Sequence, residues 1–411
     1  ENMDPRRMNR LIEFFRIFIN NQTVVNTLHE TFRRSLIESL RNFQWRIPSI
    51  WCSIHEQAKM LLDHPSKSIR DYVAGVLSIS LSLDITLSNK NLIHEPDVNQ
   101  FVDDICERLR EAIEVYDKKP LINASNQAIT MEFEACKALN FMETVLQILK
   151  SFFFWSRQPV KDSLIRIFPS LCEMESFGAN NDTLKDSLLI SRMNIGTSYL
   201  HEQLLEALIQ QLEQVCMNPK RHARRTAIDF IQNMIFSNLF NARQYAKQLH
   251  RLVIKCLFDE QLEVRLSAST TLSSFYQCGY VQVTDKDLQY FRMMSKIDGK
   301  KVTLTKNIIT QHGGSQCELY DHVILIIIVG ILGLCAIILS GPYDISSFVP
   351  DALIFLCEHS NDRHMIQKSI HQCLSEFRRT HYDSWHEHQR SFTKDQLLIL
   401  TDALISHSYY V

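Results

Sequence analysis

The sequence predicts an all-α chain, a HEAT/armadillo-like α-solenoid of stacked antiparallel helix pairs. Three observations carry this. Glycine and proline number only 10 each among 411 residues, well under the typical roughly 7% and 5%. Apolar residues recur at i, i+3, i+4 and i+7 in segment after segment, the spacing that lines one face of a helix. A weak internal repeat has a period near 40 residues, the length of one HEAT-type helix pair.

Read in chain order, the helical pattern covers residues 4–20, 23–41, 50–63, 67–84, 96–117, 126–155 and 197–217. It resumes over 222–239, 243–258, 261–277, 346–358, 364–378 and 394–405. Breaks fall at His64-Pro65, Gln158-Pro159, Asn218-Pro219 and Gly341-Pro342, where proline disfavours helical geometry in the residue before it. No alternating strand pattern of useful length is found. The stretches 176–182 and 296–318 read as exposed loops. Residues 323–339 form 17 consecutive apolar positions, at the short end of what a membrane span needs; a central helix buried on all sides is the plainer reading.

The repeat runs through three copies. Pro65 is followed by Arg70, Ala74 and Leu77; Pro219 by Arg224, Ala227 and Ile231; Glu260 by Arg265, Ala268 and Leu272. A turn, then an arginine to tie it, then a small residue where helices touch, is how HEAT-type pairs read. Generic helical packing is the alternative.

The residues exclude several kinds of function. With 44 basic and 46 acidic residues, no overall field favours nucleic acid. The 11 cysteines are scattered singly with no C-x-x-C pair, as in a reducing compartment. Gly299-Lys300 resembles the end of a phosphate-binding loop, but Met294 stands where the leading glycine belongs. There is no G-x-S-x-G and no H-E-x-x-H. His386 and His388 lie on different helical faces, so surface or capping roles outweigh a metal site. No enzyme constellation emerges. The first residue, Glu1, suggests that the sequence starts inside a longer protein.

Three candidate features remain. Lys220, Arg221, Arg224 and Arg225 cluster at a turn and helix N-terminus, where backbone N–H groups favour anions; a solvated inter-helix turn is the plainer reading. Lys296, Lys300, Lys301 and Lys306 form a looser patch suited to nuclear targeting. The last six residues, Ser406-His407-Ser408-Tyr409-Tyr410-Val411, reach about 20 Å when extended. Two rings beside a carboxylate suit insertion into a pocket carrying a basic residue.

FRRTHYDSWHEHQRSFTKDQLLILTDAL, Phe377–Leu404, closely resembles the C-terminal region of the proteasome activator complex subunit 4 family, the large HEAT-repeat proteasome cap. So do DEQLEVR at Asp259–Arg265, TTLS at Thr270–Ser273 and VGILGLCAIILSGPYD at Val329–Asp344. The resemblance implies a non-enzymatic, ATP-independent activator that caps the α-ring of the core proteasome, and a buried rather than membrane-spanning 323–339 helix. It implies a layout of solenoid over 1–295, exposed loop at 296–318, C-terminal helical module at 319–405 and docking tail at 406–411. In that tail, Tyr409 takes the hydrophobic position, Tyr410 the essential tyrosine, and Val411 supplies the carboxylate, docking between α-subunits to promote gate opening.

The family's acetylated-histone site would fall at Gly279-Tyr280, where the tyrosine is kept but Gly279 lacks a side-chain amide. An inositol phosphate is the one cofactor the resemblance allows, with the 220–225 cluster as its candidate site. No metal, direct nucleic acid or membrane partner is implied, and the expected location is nucleus and cytoplasm. The competing reading is a HEAT-repeat scaffold or transport adaptor whose tail is incidental.

Overall fold

The computed structural model describes residues 58–81, 85–86, 92–94, 97–118, 126–151, 162–296, 316–360, 362 and 364–405. The helices expected at 4–20 and 23–41, the start of 50–63, most of the 296–318 stretch and the tail lie outside these. The chain divides into two compact units, Glu1–Gln211 and Leu212–Val411. The boundary drawn at residue 295 therefore falls inside the second unit.

In the first unit, α1 (Lys67–Ser80) is followed by β1 (Ile85–Thr86) and β2 (Leu92–His94), a short antiparallel ribbon. It begins just after the 67–84 pattern, in a stretch where the sequence shows no alternating strand pattern. Next come α2 (Val98–Asp117), α3 (Asn126–Leu149), the single-turn α4 (Asp162–Ile165), α5 (Phe168–Glu173) and α6 (Asp182–Thr197). The Asp97 side chain caps α2 by accepting from Gln100 N at 2.9 Å. Its buried residues Val98, Phe101, Val102, Ile105, Leu109 and Ala112 keep helical spacing and pack on α3, which also receives α1 and α6.

The 176–182 stretch is not an exposed loop. Met174–Asn180 forms a 3₁₀ helix leading into α6, with Met174 fully buried and Phe177 edge-on to Tyr116 at 4.7 Å. Asn181 then caps α6, its Oδ1 accepting from Leu184 N at 3.1 Å. The periodicity missed α6 because serine fills core positions. Ser187 and Ser191 are buried beside Leu184, Leu188 and Ile195, and Ser191 donates to the Ser187 carbonyl at 2.8 Å.

Helix α7 (Glu202–Val215) precedes α8 (Arg221–Asn238), α9 (Ala246–Cys256), α10 (Leu262–Gln277) and α11 (Asp285–Ser295). The long α12 (Gln316–Ile338), α13 (Val349–Cys357), α14 (His364–His381), the single-turn α15 (Trp385–His388) and α16 (Lys394–Ile405) complete the chain. Within the second unit α10 packs on α8, α9 and α12, and α12 also packs on α11, α13 and α14.

The repeat is real. Arg70 Nη1 donates to the carbonyls of His64 and Pro65 at 2.8 and 3.2 Å. Arg224 does the same to Asn218 and Pro219 at 2.8 and 3.1 Å, and Arg265 to Asp259 and Glu260 at 2.7 and 3.1 Å. The small residues Ala74, Ala227 and Ala268, and the apolar Leu77, Ile231 and Leu272 after them, are all fully buried.

Helix α12 is the apolar stretch, and it is covered on all sides. Val329, Ile331, Leu334, Ile337 and Ile338 have no exposed surface. No helix among the described residues is long and apolar enough to cross a membrane. Two glycines let α11 approach. A Cβ on Gly330 would stand 2.3 Å from Ser295 N and 2.6 Å from Phe291 O. One on Gly333 would stand 2.1 Å from Phe291 Cδ1. Gly75 on α1 has nothing within 4 Å of its virtual Cβ.

These contacts set opposite expectations for one chemical change. Alanine in place of glycine gains about 0.5–1 kcal/mol of helix propensity where space is open, while overpacking against backbone costs about 1–3 kcal/mol. Urea unfolding should show Gly75→Ala neutral or stabilised, and Gly330→Ala destabilised despite its better propensity. An unchanged midpoint for Gly330→Ala would mean that α11 and α12 are not so tightly apposed.

Candidate functional site

The last described element before the tail, α16, is anchored at its start. Thr393 and Gln396 form a capping box: the Thr393 N–H donates to Gln396 Oε1 at 2.9 Å, and Gln396 N–H to Thr393 Oγ1 at 3.3 Å. Gln396 Nε2 also reaches Asp351 Oδ1 on α13 at 3.0 Å. Leu400 is buried, whereas Leu398 and Ile399 point outward, 72% and 44% exposed. The helix is thus pinned at its N-terminus and by Leu400, with Leu398 and Ile399 exposed beside the charged Lys394 and Asp395. Tyr409, Tyr410 and Val411 follow it, outside the described residues.

The turn between α14 and α16 is an aromatic cluster. Phe377 stacks on His381 at 4.3 Å and meets Trp385 edge-on at 6.3 Å; Trp385 lies 5.6 Å from Phe392. His381 Nδ1 donates to the Phe377 carbonyl at 3.0 Å, which fixes that ring nitrogen as the protonated one in the neutral imidazole. His388 packs edge-on to His381 at 5.2 Å. Among the described residues, no group of three His, Cys, Asp or Glu is arranged to hold a metal ion.

The basic cluster does not converge on one point. Arg224 is a bidentate partner of Asp259, Nε to Oδ2 at 2.6 Å and Nη2 to Oδ1 at 2.8 Å. Both side chains are largely buried, and the hydrogen bond to the carboxylate raises the arginine's affinity for its proton. Arg221 lies 3.6 Å from Glu263, and Arg225 lies 3.7 Å from Asp229 across one helical turn. Lys220 is the N-cap residue of α8, without a side-chain cap bond. Arg70 has its own acid, Glu143, at 2.8 Å.

Arg265 differs from its two counterparts. Among the described residues no carboxylate bonds it, its buried Nε has no hydrogen-bond partner, and burial lowers its affinity for its proton. The sequence pattern flagged the arginines but not Asp259, whose signal was an acid at the matching turn one repeat later.

Gly279 and Tyr280 form the stop of α10. Gly279 has φ of +65°, the left-handed geometry that glycine adopts without a Cβ penalty. Its N–H donates to Tyr276 O at 3.2 Å, and that of Tyr280 to Phe275 O at 3.0 Å, the crossed pair of a Schellman motif. The apolar contact of that motif is present, with Phe275 and Tyr280 edge-on at 5.0 Å. The Tyr280 ring is buried and its hydroxyl donates to Ala242 O at 2.6 Å.

Comparison with known proteins gives the family context. Residues 325–411 match the family model described as proteasome activator complex subunit 4-like, C-terminal. Proteasome activator complex subunit 4 of Homo sapiens is 31% identical over 374 residues, covering 89% of this chain and 20% of that protein. Proteasome activator complex subunit 4B of Danio rerio is 28% identical over 421 residues, 100% of this chain and 22% of its own length. Proteasome activator subunit 4 of Arabidopsis thaliana is 29% identical over 193 residues, 46% of this chain and 10% of its own. The chain spans about a fifth of the length of the first two. The resemblance seen in the sequence is borne out over most of the chain.

Two sets of substitutions test the local geometry. Arg224→Ala, or Asp259→Asn, strands one half of a largely buried ion pair and should cost about 3–5 kcal/mol in denaturant unfolding; Arg225→Ala, whose partner is exposed, should cost at most about 1 kcal/mol. Equal losses at the two arginines would refute the distinction. Gly279→Val should lose about 1–2 kcal/mol through its left-handed backbone, and Gly279→Asn should lose less, because asparagine tolerates that conformation.

Proposed function

We propose that this chain is the C-terminal portion of a large, non-catalytic, ATP-independent activator of the core proteasome. The observation that carries the reading is the similarity, over most of the chain, to relatives named as proteasome activator subunits. The family model that runs through residue 411 adds to it.

In this reading the helical framework holds α16 in place and the residues after it reach into a pocket between two α-subunits. Tyr409 and Tyr410 bury their rings there, and the terminal carboxylate at Val411 pairs with a basic side chain through a charge-assisted hydrogen bond. Each buried ring contributes on the order of 1.5–3 kcal/mol. One tail is a modest anchor, so the remaining contact surface of the much longer parent supplies avidity. Insertion opens the axial gate by favouring the pocket geometry of the open state.

The location proposed is nucleus and cytoplasm. An inositol phosphate remains the proposed accessory ligand, but Arg221, Arg224 and Arg225 each face an acid within the fold, so the 220–225 cluster is a weak place to seat it. Acetylated-histone recognition stays outside the reading, because Tyr280 spends its hydroxyl on Ala242 and Gly279 has no side chain.

The test uses the full-length parent with and without Tyr409–Val411. Binding to purified core proteasome and hydrolysis of a fluorogenic peptide are followed together. Deletion should reduce stimulated hydrolysis at least tenfold, corresponding to about 1.4 kcal/mol or more, while circular dichroism stays unchanged. Full activation by the truncated protein would dismiss the tail as the activating element. Absence of core-particle binding by the intact parent would favour a scaffold or transport adaptor instead.

A further inference from the structure

The second unit contains a groove of about 380 Å³ between α10, α12 and α14, bordered by the Gly341-Pro342 turn. Its build follows helical spacing. Leu332, Cys335 and Leu339 of α12 form an apolar floor. Ser269, Ser273 and Gln277, at four-residue intervals on α10, form one wall. Gln372, Glu376 and Thr380, at the same intervals on α14, form the other, and His381 follows them. Most of the groove surface is apolar, the common character of small-molecule sites. A cavity of about 150 Å³ suffices for benzene, so this space admits a ligand of about two fused rings.

One polar atom of this lining is left unsatisfied. His381 is buried, 2% exposed. Its Nδ1 donates to Phe377 O at 3.0 Å and lies 2.9 Å from Thr380 Oγ1. In the neutral ring Nε2 is then an acceptor, and it is buried without a hydrogen-bond partner. His388, edge-on to the same ring, does not supply the missing donor, because its own Nε2 is equally unpartnered. A buried acceptor left unpaired is unfavourable, so a ligand that brings a donor gains by ending that mismatch.

The charges of the groove narrow the ligand class. No lysine or arginine is among its described lining residues. Glu376 is charged, but Arg379 already binds its carboxylate. An anion would find no counter-charge in the groove and would face the Nε2 lone pair. The lining therefore suits a neutral molecule with an apolar body.

We propose that this groove binds a small, uncharged ring compound of the indole or phenol kind, through one N–H or O–H donated to His381 Nε2. The ring body lies over the α12 floor and excludes water from it. Such a ligand touches three helices at once, so its binding holds α14 against α10 and α12.

The experiment titrates the folded 411-residue chain with indole and with N-methylindole, which keeps the ring body but lacks the N–H. Isothermal titration calorimetry and thermal melts are read together. Indole should bind saturably and raise the melting temperature. N-methylindole should bind about tenfold more weakly, the loss expected of one unmade hydrogen bond. His381→Phe, which keeps a ring stacked on Phe377, should bring indole down to the level of N-methylindole. Ser273→Phe, on the half-buried wall, should weaken both compounds by filling the space. Equal affinity of the two compounds for the wild type would overturn the role of His381, and this comparison decides the matter should a variant fold poorly. Indole binding unchanged in a folded Ser273→Phe would place the site elsewhere. An absence of saturable indole binding at millimolar concentration would overturn the proposal outright.

Discussion

A guanidinium that grips the end of the preceding turn is the contact on which the helix pairing depends. Arg70, Arg224 and Arg265 each place Nη1 between two consecutive carbonyls five and six residues back. Those carbonyls lie just before a helix starts, where the chain has no ladder of its own to satisfy them. Gripping them fixes the entry of the helix, and with it the direction in which the small residue one turn later faces. The alanine then sits fully buried, so that neighbouring helices can close on it. Arg224 goes further by reaching the turn of the following pair through Asp259, which converts a local clamp into a link between repeats.

The second constraint is steric. From Val323 to Ile338 helix α12 has no polar side chain, so its neighbours there meet it through apolar surface or through hydroxyls whose bonds are already satisfied. The serines and threonines of α10 do the latter. Ser269 donates to Leu332 O at 2.8 Å, Thr271 to Ile228 O at 3.3 Å, and Ser274 accepts from Gln232 at 2.8 Å. These bonds link α10 to α12 on one side and to α8 on the other. On its remaining flank, Gly330 and Gly333 remove the side chains that would keep α11 away.

Much of this was legible in the residues. The clamp arginines, the buried alanines and most helices of the second unit follow from spacing alone. What escaped notice shares a physical cause, because polar residues were doing core or capping work. Serines at 187 and 191 broke the apolar count of α6. Helix α11 shows few apolar positions, yet it is fixed by the Thr284–Asp287 capping box and buries Leu288 and Phe291. Gly279-Tyr280, where the resemblance would place the acetylated-histone site, is a helix stop in the fold. Asp259 lies in a stretch that resembles the family, but its pairing with Arg224 spans a repeat and is invisible to local periodicity. The tail was legible only as a motif, with α16 as its framework.

The placement of α12 bears on how the chain is made. A ribosome releases α10 and α11 first, so one flank of the apolar helix finds its cover as it emerges. The other flank waits for α13 and α14, whose residues are synthesised later. During that interval a run of aliphatic side chains faces water without its partners, a surface on which chaperones act and aggregation begins. The order of synthesis therefore makes α13 and α14 the protective half of the unit. A chain stopped between α12 and α13 would carry its most apolar helix half-covered, whatever the integrity of the repeats before it.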